Sequence, residues 1–396
     1  MLVTQTTNGG VRLEPELSQW DSLASAAKGD IFGKNVKAWR SECRKSLGLP
    51  EHEKIIVVGH QPEFFHPGIL AKFIAGDLVA QKLNGVLVHL VVDHHTGSCN
   101  TIEIPERHGG QLVAKDTQLA TLDHDIAMKD QKRVTPSHDV EPFTSALIKA
   151  KGDNAAIQFA SATDTLMSPW VKVDHLIGSS ELLQTEFGMQ LIKEMYRNPN
   201  RCRETYNHAV SSHPDCGIAL LSKDEFPVWY GNRNERFGTP TDSVQPRALV
   251  LTLLARVVLG DLFIHGTGGM SYDKMMEQWV SSWLEVTPCP ATMATATLHL
   301  PLHQQTIDDA RKQYFSPGGE SQTRDQFLSS IDRAPYKSST KSAQFQAMHD
   351  WLASLNSRPD ETQFRVSQRI ASRRDWAFPL YPVEMLDQLR DAIKEN

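Results

Sequence analysis

Two histidines and two prolines lie in one short stretch, Gly59-His-Gln-Pro-Glu-Phe-Phe-His-Pro-Gly68. Imidazole groups titrate near neutral pH, so His60 and His66 are suited to moving protons or balancing the charge of an anionic ligand. Lys72 follows closely and adds a positive charge. A proline-stiffened turn, with histidines bonded only to local backbone, is the simpler interpretation. The density of His, Pro and Gly favours a binding site at the loop His60–Gly68.

A second polar group, Asp93-His-His95-Thr96, follows directly after the apolar run Val86–Val92. If that run is a strand, Asp93 and His94 stand at its carboxyl end, where ligands of α/β sheets bind. A strand-end aspartate also commonly caps the following turn, so both roles stay open. The Asp-His-His order resembles the DHH phosphoesterases, in which Asp and His hold manganese. A metal-dependent phosphoesterase or hydrolase is therefore an alternative, with His60, His66, Asp93 and His94 as its residues.

A third candidate group lies late in the chain, in Asp261-Leu-Phe-Ile-His-Gly-Thr-Gly-Gly-Met-Ser-Tyr-Asp273. Its glycines join an apolar run to a helix-like segment and would let the backbone approach a ligand closely. A plain strand-to-helix turn has the same pattern, but the preceding buried-type run favours a cleft wall. The residues assigned to ligand binding here are His265, Gly266, Gly268, Gly269 and Tyr272, and Asp273 is a catalytic candidate.

The elements around these groups alternate between strand and helix. Ile55–Val58 is a β-branched run typical of strands covered on both faces. Residues 68–83 carry apolar side chains at helical spacing, and Val86–Val92 is a second buried strand, which makes a right-handed βαβ unit. Further strands are expected at Gly217–Leu221 and Asp261–His265, and further helices at Leu182–Met195, Arg247–Leu259 and Tyr272–Leu284.

We therefore predict an α/β fold with a Rossmann-like parallel-sheet core and a C-terminal helical appendage. The expected division is a helical arm over residues 1–50, an α/β core with an insertion over 51–298, and a helical region over 299–396. The strands ending at Val58, Val92 and Ile264 should lie side by side. His60, His66, Asp93 and His265 should then line one pocket.

The composition limits the classes of function. Hydrophobic residues make up 40% of the chain and charged residues 22%, a balance typical of globular proteins. The formal net charge of -6 gives no general attraction to nucleic acid or to an anionic membrane. No apolar run reaches the roughly 18 residues of a membrane span, and the N-terminus lacks a signal-peptide pattern. The 5 scattered cysteines fit free thiols in a reducing compartment, so we expect a cytoplasmic protein.

The segment His66-Pro-Gly68 resembles the phosphate-binding loop of nucleotidylyltransferases and class I tRNA synthetases. In that superfamily a strand leads through Gly and Pro to a His-x-Gly-His motif, and here Ile69 stands in place of the second histidine. The resemblance implies a nucleotide phosphate at this loop, with His60 as the candidate to replace the missing imidazole.

Short motifs also resemble the cysteine-adding ligase of bacillithiol biosynthesis, which has a Rossmann-like core and a helical appendage. Its Gly-Gln-Gln-Pro-like loop is similar to Gly59-His-Gln-Pro62, and its Glu-Asp-His-Asp-like cluster to Val92-Asp-His-His95. A late Arg-Pro segment and a glycine-rich turn resemble Gln245-Pro-Arg247 and Gly266–Tyr272. The resemblance implies a distant relative with a different substrate. The cofactor-binding residues expected outside the late turn are Gly59, Gln61, Gly68, Lys72 and Arg247.

These patterns favour an enzyme of the ligase or nucleotidyltransferase class that binds ATP or another nucleotide. His60 and His66 would steady phosphate charge, and the acceptor would be positioned by Asp93, His94 or Asp273. The expected partner is a small-molecule substrate rather than nucleic acid or a membrane, and the C-terminal helices are a candidate homodimer surface. A non-catalytic sensor that keeps the cleft is the second alternative.

Overall fold

A computed structural model of the protein describes residues 10–108, 111–239, 242–302, 321–354 and 361–396. The chain forms two compact units. The first contains Met1–Ile102, Gln118–Leu298 and Ala377–Asn396, and the second contains Glu103–Thr117 and His299–Trp376. The chain therefore leaves the first unit twice and returns to it twice.

The strands and helices are numbered in chain order over the described residues. The strands are β1 (Gly10–Glu14), β2 (Asp30–Ile31), β3 (Lys34–Asn35), β4 (Ile55–His60), β5 (Val86–Val91), β6 (Thr101–His108), β7 (Gln111–Gln118), β8 (His175–Gly178), β9 (Val228–Tyr230), β10 (Val244–Pro246), β11 (Leu262–His265) and β12 (Ala291–Thr297). The helices are α1 (Trp20–Leu23), α2 (Val36–Ser46), α3 (Pro67–Lys82), α4 (Phe143–Lys149), α5 (Ala155–Met167), α6 (Ser179–Gln184), α7 (Glu186–Arg197), α8 (Pro199–Ser212), α9 (Ala248–Leu254), α10 (Thr267–Leu284), α11 (Ser321–Arg333), α12 (Ser339–Ser354), α13 (Glu361–Ala371) and α14 (Val383–Lys394).

The first unit is built around a six-stranded sheet in the order β1-β12-β11-β4-β5-β8. All neighbouring pairs are parallel except β1 with β12, which is antiparallel. The chain runs from β4 outward through β5 to β8 on one side, and later through β11 to β12 on the other. This is the Rossmann order, and the direction reverses between β4 and β11. The predicted α/β fold with a Rossmann-like parallel core is confirmed, and helices are present in the C-terminal region.

The central strands are buried because helices cover both faces of the sheet. Ile55, Ile56, Val57 and Val58 of β4 each have 0% exposure, which explains their continuous apolar run. α3 follows β4 and leads to β5, so the predicted βαβ unit is present. The register pairs Val57 with Val88 on one side and with Phe263 on the other. The ends of β4, β5 and β11 therefore lie side by side.

A buried ion cluster fixes α2 to the amino end of β11. Asp261 accepts hydrogen bonds from Arg40 Nη2 (3.0 Å) and Arg44 Nη2 (2.7 Å). Its Oδ2 also accepts from the backbone N–H of Ile55, at 3.0 Å. The same arginines donate to the carbonyl oxygens of Gly260 and Leu259. Asp261 thus ties α2, β4 and β11 together at the end of the sheet where the strands begin.

Some elements differ from the sequence-based expectations. β1 lies within the segment expected to be a helical arm, where it pairs with β12. The strand expected at Gly217–Leu221 is wrong, since this segment forms no strand. α10 begins at Thr267 rather than at Tyr272. The helix expected over Leu182–Met195 is interrupted at Thr185, whose side chain caps α7 by accepting from the N–H of Gly188 at 3.3 Å.

The second unit contains most of the β6–β7 hairpin and the helices α11, α12 and α13. The backbone N–H of Leu112 donates to Ser367 Oγ at 3.1 Å, which joins the hairpin to α13. Arg373 makes a two-pronged ion pair with Glu103, in which its Nη1 lies 2.8 Å from Oε1. The described residues between Leu302 and Arg374 are helical or irregular and form no strand.

The C-terminal segment belongs to the first unit. The backbone N–H of Phe378 donates to the carbonyl oxygen of Phe65 at 2.8 Å, and Trp170 Nε1 donates to Asp387 of α14 at 2.7 Å. Leu386, Leu389 and Ile393 of α14 are buried. No helix in the described part of the chain is both long and apolar enough to cross a membrane.

Candidate functional site

A cleft of about 1120 Å³ opens in the first unit, at the carboxyl ends of β4, β5 and β11. It lies where the strand order reverses, which is the position at which open α/β sheets bind ligands. Its lining includes twelve residues proposed from the sequence: Gly59, His60, Gln61, His66, Lys72, His94, Arg247, His265, Gly266, Gly268, Gly269 and Tyr272.

His66 is the N-cap of α3. Its Nδ1 accepts a hydrogen bond from the backbone N–H of Gly68, at 3.0 Å. Pro67 occupies the first helical position, where its missing N–H costs no hydrogen bond. His66 and Pro67 together therefore fix where α3 begins. An added Cβ on Gly68 would lie 2.9 Å from the carbonyl oxygen of Ala296, so only glycine lets α3 approach β12 this closely. Gly68 therefore serves helix packing and does not line the cleft.

α10 presents a second helix start to the same cleft. Its N-cap is Gly266, which has no side chain with which to cap this end. Gly266, Thr267, Gly268 and Gly269 all line the cleft. The N-terminus of a long helix carries partial positive charge and backbone N–H groups, which favour anionic groups. An added Cβ on Gly269 would lie 2.1 Å from His265 Nδ1, so only glycine fits at this position beside the imidazole.

The floor of the cleft carries little fixed charge at neutral pH. Burial lowers the pKa of His60 well below its ordinary value, and the nearby positive charge of Lys72 acts in the same direction. Burial lowers the pKa of Lys72 to about 7. Lys72 Nζ donates to the carbonyl oxygen of Gly59 at 2.9 Å. Lys72 can therefore change its charge near neutral pH, whereas His60 stays neutral there.

His265 is held from behind by Asp273 and Arg256. His265 Nε2 lies 3.1 Å from Asp273 Oδ1, which also accepts from Arg256 Nη1 at 2.6 Å. Burial raises the pKa of Asp273, but the hydrogen bonds and charges of His265 and Arg256 outweigh it and keep that pKa below its ordinary value. Burial lowers the pKa of His265, against the opposing effect of Asp273. Asp273 lies behind His265 and is not part of the cleft lining.

His94 is oriented by a buried hydrogen-bond chain. Its Nδ1 lies 2.8 Å from Ser179 Oγ, which donates to Asp93 Oδ1 at 2.6 Å. Ser180 also donates to Asp93 from its backbone N–H, at 3.0 Å, and from its hydroxyl group. Burial raises the pKa of Asp93, but hydrogen bonds from His94, Ser179 and Ser180 bring it below its ordinary value. Asp93 therefore lies beneath the cleft lining and holds Ser179 in place. Because the Ser179 hydroxyl donates its hydrogen to Asp93, it accepts from His94 Nδ1, and Nε2 is the nitrogen of His94 that can accept a proton.

Another part of the cleft lining comes from α8 and from the segments between α8 and α9. Glu225 is 1% exposed and pairs with Arg236 and Arg247. The guanidinium group of Arg247 stacks on the ring of Trp229, 4.1 Å from its centroid. Tyr206, Ile218 and Leu220 also line the cleft.

Sequence reasoning missed several of these residues. Glu225 and Tyr206 are single residues in segments without a motif, so nothing local marks them. Trp229, Arg233 and Arg236 follow one another closely, and that aromatic and basic cluster was the available signal. His95 and Thr96 line the cleft beside His94. No group of three or more His, Cys, Asp or Glu side chains within the described residues is arranged to hold a metal ion.

Comparisons with known proteins add little. No protein-family model matches the chain, and no curated protein matches it. The tyrosyl-tRNA synthetase of Archaeoglobus fulgidus, complexed with L-tyrosine, is 9% identical, with a TM-score of 0.28 over 96% of this chain and 99% of that chain. The tryptophanyl-tRNA synthetase of Plasmodium falciparum is 8% identical, with a TM-score of 0.26 over 91% of this chain and 94% of that chain. Similarity at this level carries no argument about family or function.

Proposed function

We propose that the cleft binds ATP or another phosphorylated small molecule, and that the protein is a ligase or nucleotidyltransferase-like enzyme. The observation that carries the proposal is the position of the cleft between β4 and β11, where the strand order reverses and both α3 and α10 begin. Ligands of open α/β sheets bind at this point, and helix N-termini favour phosphate.

In this proposal the phosphate groups lie along Gly266–Gly269, because α10 begins there without a side-chain cap. His60 and His66 line the cleft from the β4–α3 loop, where their imidazole groups can form hydrogen bonds to a ligand. Lys72 supplies positive charge once an anion is bound, since a neighbouring negative charge raises the pKa of an amine. The cleft volume of about 1120 Å³ exceeds what one drug-sized ligand needs and leaves space for a second substrate.

Nucleotidyl transfer joins an acceptor oxygen to the α-phosphorus, breaks the bond from that phosphorus to the bridging oxygen, and releases pyrophosphate. The residues of this chain would orient the reactants and stabilise the developing charge. His94 lines the cleft, and its Nε2 would take the proton of the acceptor. Asp93 and Asp273 would act through His94 and His265, as positioning residues.

The test uses His66→Asn, because asparagine keeps the N-cap of α3 while it removes the imidazole. We expect ATP affinity, measured by calorimetry with and without magnesium, to fall about ten-fold or more, since one charge-assisted hydrogen bond contributes about 1.5–3 kcal/mol. The melting temperature without ligand should change little.

The matched control is Asn154→Ala, which removes the side-chain cap of α5 outside the cleft. It should lower the melting temperature and leave ATP affinity unchanged. Failure of the wild type to bind ATP or other nucleotides at millimolar concentration would remove the basis of the proposal. Binding without turnover over a substrate pool would indicate the sensor, and phosphodiester hydrolysis that requires manganese would indicate the metal-dependent hydrolase.

A further inference from the structure

The lining of the cleft contains a cluster of unbalanced charge around the buried Glu225. Glu225 Oε1 accepts hydrogen bonds from Arg247 Nη1 (2.6 Å) and Arg236 Nε (3.0 Å), and its Oε2 accepts from Arg236 Nη2 at 2.9 Å. Burial raises the pKa of Glu225, but the hydrogen bonds from Arg247, Ser222 and Arg236 bring it down to about 2. One carboxylate faces two guanidinium groups, so the cluster keeps one net positive charge.

Arg247 has one edge without a partner. Its Nη1 is bound to Glu225, whereas Nε and Nη2 are buried and have no hydrogen-bond partner among the described residues. These two nitrogens form the edge of a guanidinium group that pairs with two oxygens at once. The side chain is 15% exposed, lines the cleft, and lies over the ring of Trp229. A buried charged donor without an acceptor is costly, which is a reason to look for the acceptor in a ligand.

The surroundings of Arg247 favour a carboxylate over a phosphate. Several lining residues from the neighbouring segments are apolar: Ile218, Leu220, Pro246 and Leu249. A carboxylate places both its oxygens in the plane of the guanidinium edge. A phosphate has further oxygens outside that plane, and apolar side chains do not satisfy them.

We propose that Arg247 binds the carboxylate group of a second substrate, an organic acid with a short apolar chain. The inference deepens the proposed function, on which it rests, by naming the chemical class of the acceptor. It also replaces the sequence-based assignment of Arg247 to the nucleotide. The nucleotide then occupies the glycine loop and the histidines, and the acid occupies the wall formed by Glu225, Trp229 and Arg247.

The test measures binding of butyrate to the full chain by ligand-observed NMR at constant ionic strength. Arg247→Lys keeps the positive charge and removes the two-pronged edge. We expect this variant to bind butyrate at least about ten-fold more weakly than the wild type. Arg201→Gln, which removes an exposed arginine paired with Glu285, is the matched control and should bind butyrate as the wild type does.

If Arg247→Lys fails to fold, a measurement on the wild-type protein tests the same inference. Modification by phenylglyoxal, mapped by peptide mass spectrometry, should be slowed by butyrate at Arg247 and not at Arg201. Undiminished butyrate binding by folded Arg247→Lys, or equal modification of Arg247 with and without butyrate, would show that the edge does not hold the acid. Displacement of butyrate by an equal concentration of inorganic phosphate would overturn the choice of a carboxylate.

ATP titrations separate this inference from the proposed function. Folded Arg247→Lys should keep the ATP affinity of the wild type. A loss of ATP affinity with unchanged butyrate affinity would assign Arg247 to the nucleotide and refute the inference. A wild type that binds butyrate but no nucleotide would refute the proposed function and leave the carboxylate site standing.

Discussion

Lys72 is almost entirely buried, although it lines the cleft. It is 4% exposed, and its Nζ has the carbonyl oxygen of Gly59 as a hydrogen-bond partner. Burial lowers its pKa to about 7, so its protonation state changes near neutral pH. His60 and His265, the titratable groups beside it, have lowered pKa values and are neutral there. Of these three groups, Lys72 is therefore the one whose charge changes near neutral pH.

The lowered pKa of Lys72 predicts that ATP binding is coupled to proton uptake. The bound anion raises the pKa of Lys72, so binding at pH 7 to 7.5 should draw a proton from solution, and affinity should fall as pH rises through about 7. Calorimetry in buffers with different ionisation heats measures the uptake. Lys72→Met should abolish the part of the pH dependence that is not due to ATP itself. An identical pH profile in the variant would mean that Lys72 does not sense the ligand.

At the scale of single residues, the sequence identifies those that belong to short motifs. His60, His66, His94 and His265 follow recognisable strands, so their common placement could be anticipated. The burial of Asp93 and Asp273 beneath His94 and His265 could not, because it depends on Ser179 and Arg256 from distant segments. A sequence shows which side chains carry chemistry, and the packing decides which of them reach the surface of a cleft.

At the scale of elements, the cluster around Asp261 leads to a stability prediction. Asp261→Asn should lower the free energy of unfolding by about 3 kcal/mol or more, because Arg40 and Arg44 then keep buried charges without their partner. Chemical denaturation measures the change, and Arg201→Gln at an exposed pair should change it by less than about 1 kcal/mol. ATP affinity should not change, since Asp261 lies at the opposite end of the strands from the cleft. A fall in affinity at unchanged stability would contradict this separation.

The elements that the sequence predicted well are those with local patterns. β4, β5 and β11 are apolar over most of their length because both of their faces are covered. β1 has no such run, since it forms by pairing with β12 from the far part of the chain. The apolar segment Gly217–Leu221 was expected to be a strand, but Ile218 and Leu220 line the cleft instead. Apolar character indicates contact with something other than water, and only the tertiary structure decides with what.

At the scale of the whole molecule, the C-terminal segment is part of the first unit. Deletion of Ala377–Asn396 should expose the surface that Phe378, Leu386, Leu389 and Ile393 cover. Each fully buried side chain of this kind contributes roughly 1.5–3 kcal/mol, so the first unit should melt at a markedly lower temperature or aggregate. Calorimetry of the deletion and of a control without Glu395 and Asn396 measures the difference. Equal melting temperatures would show that α14 is dispensable for the first unit.

Because the chain is synthesised from its N-terminus, the packing of α14 against the first unit is completed late in translation. Strands β4, β5 and β11 emerge from a ribosome long before α14, which packs beside α3 and carries the partner of Trp170. Until residues 377–396 have been synthesised, an apolar surface around Phe65 and Trp170 stays uncovered. The first unit thus acquires its final packing only after residues 377–396 of this chain have been translated.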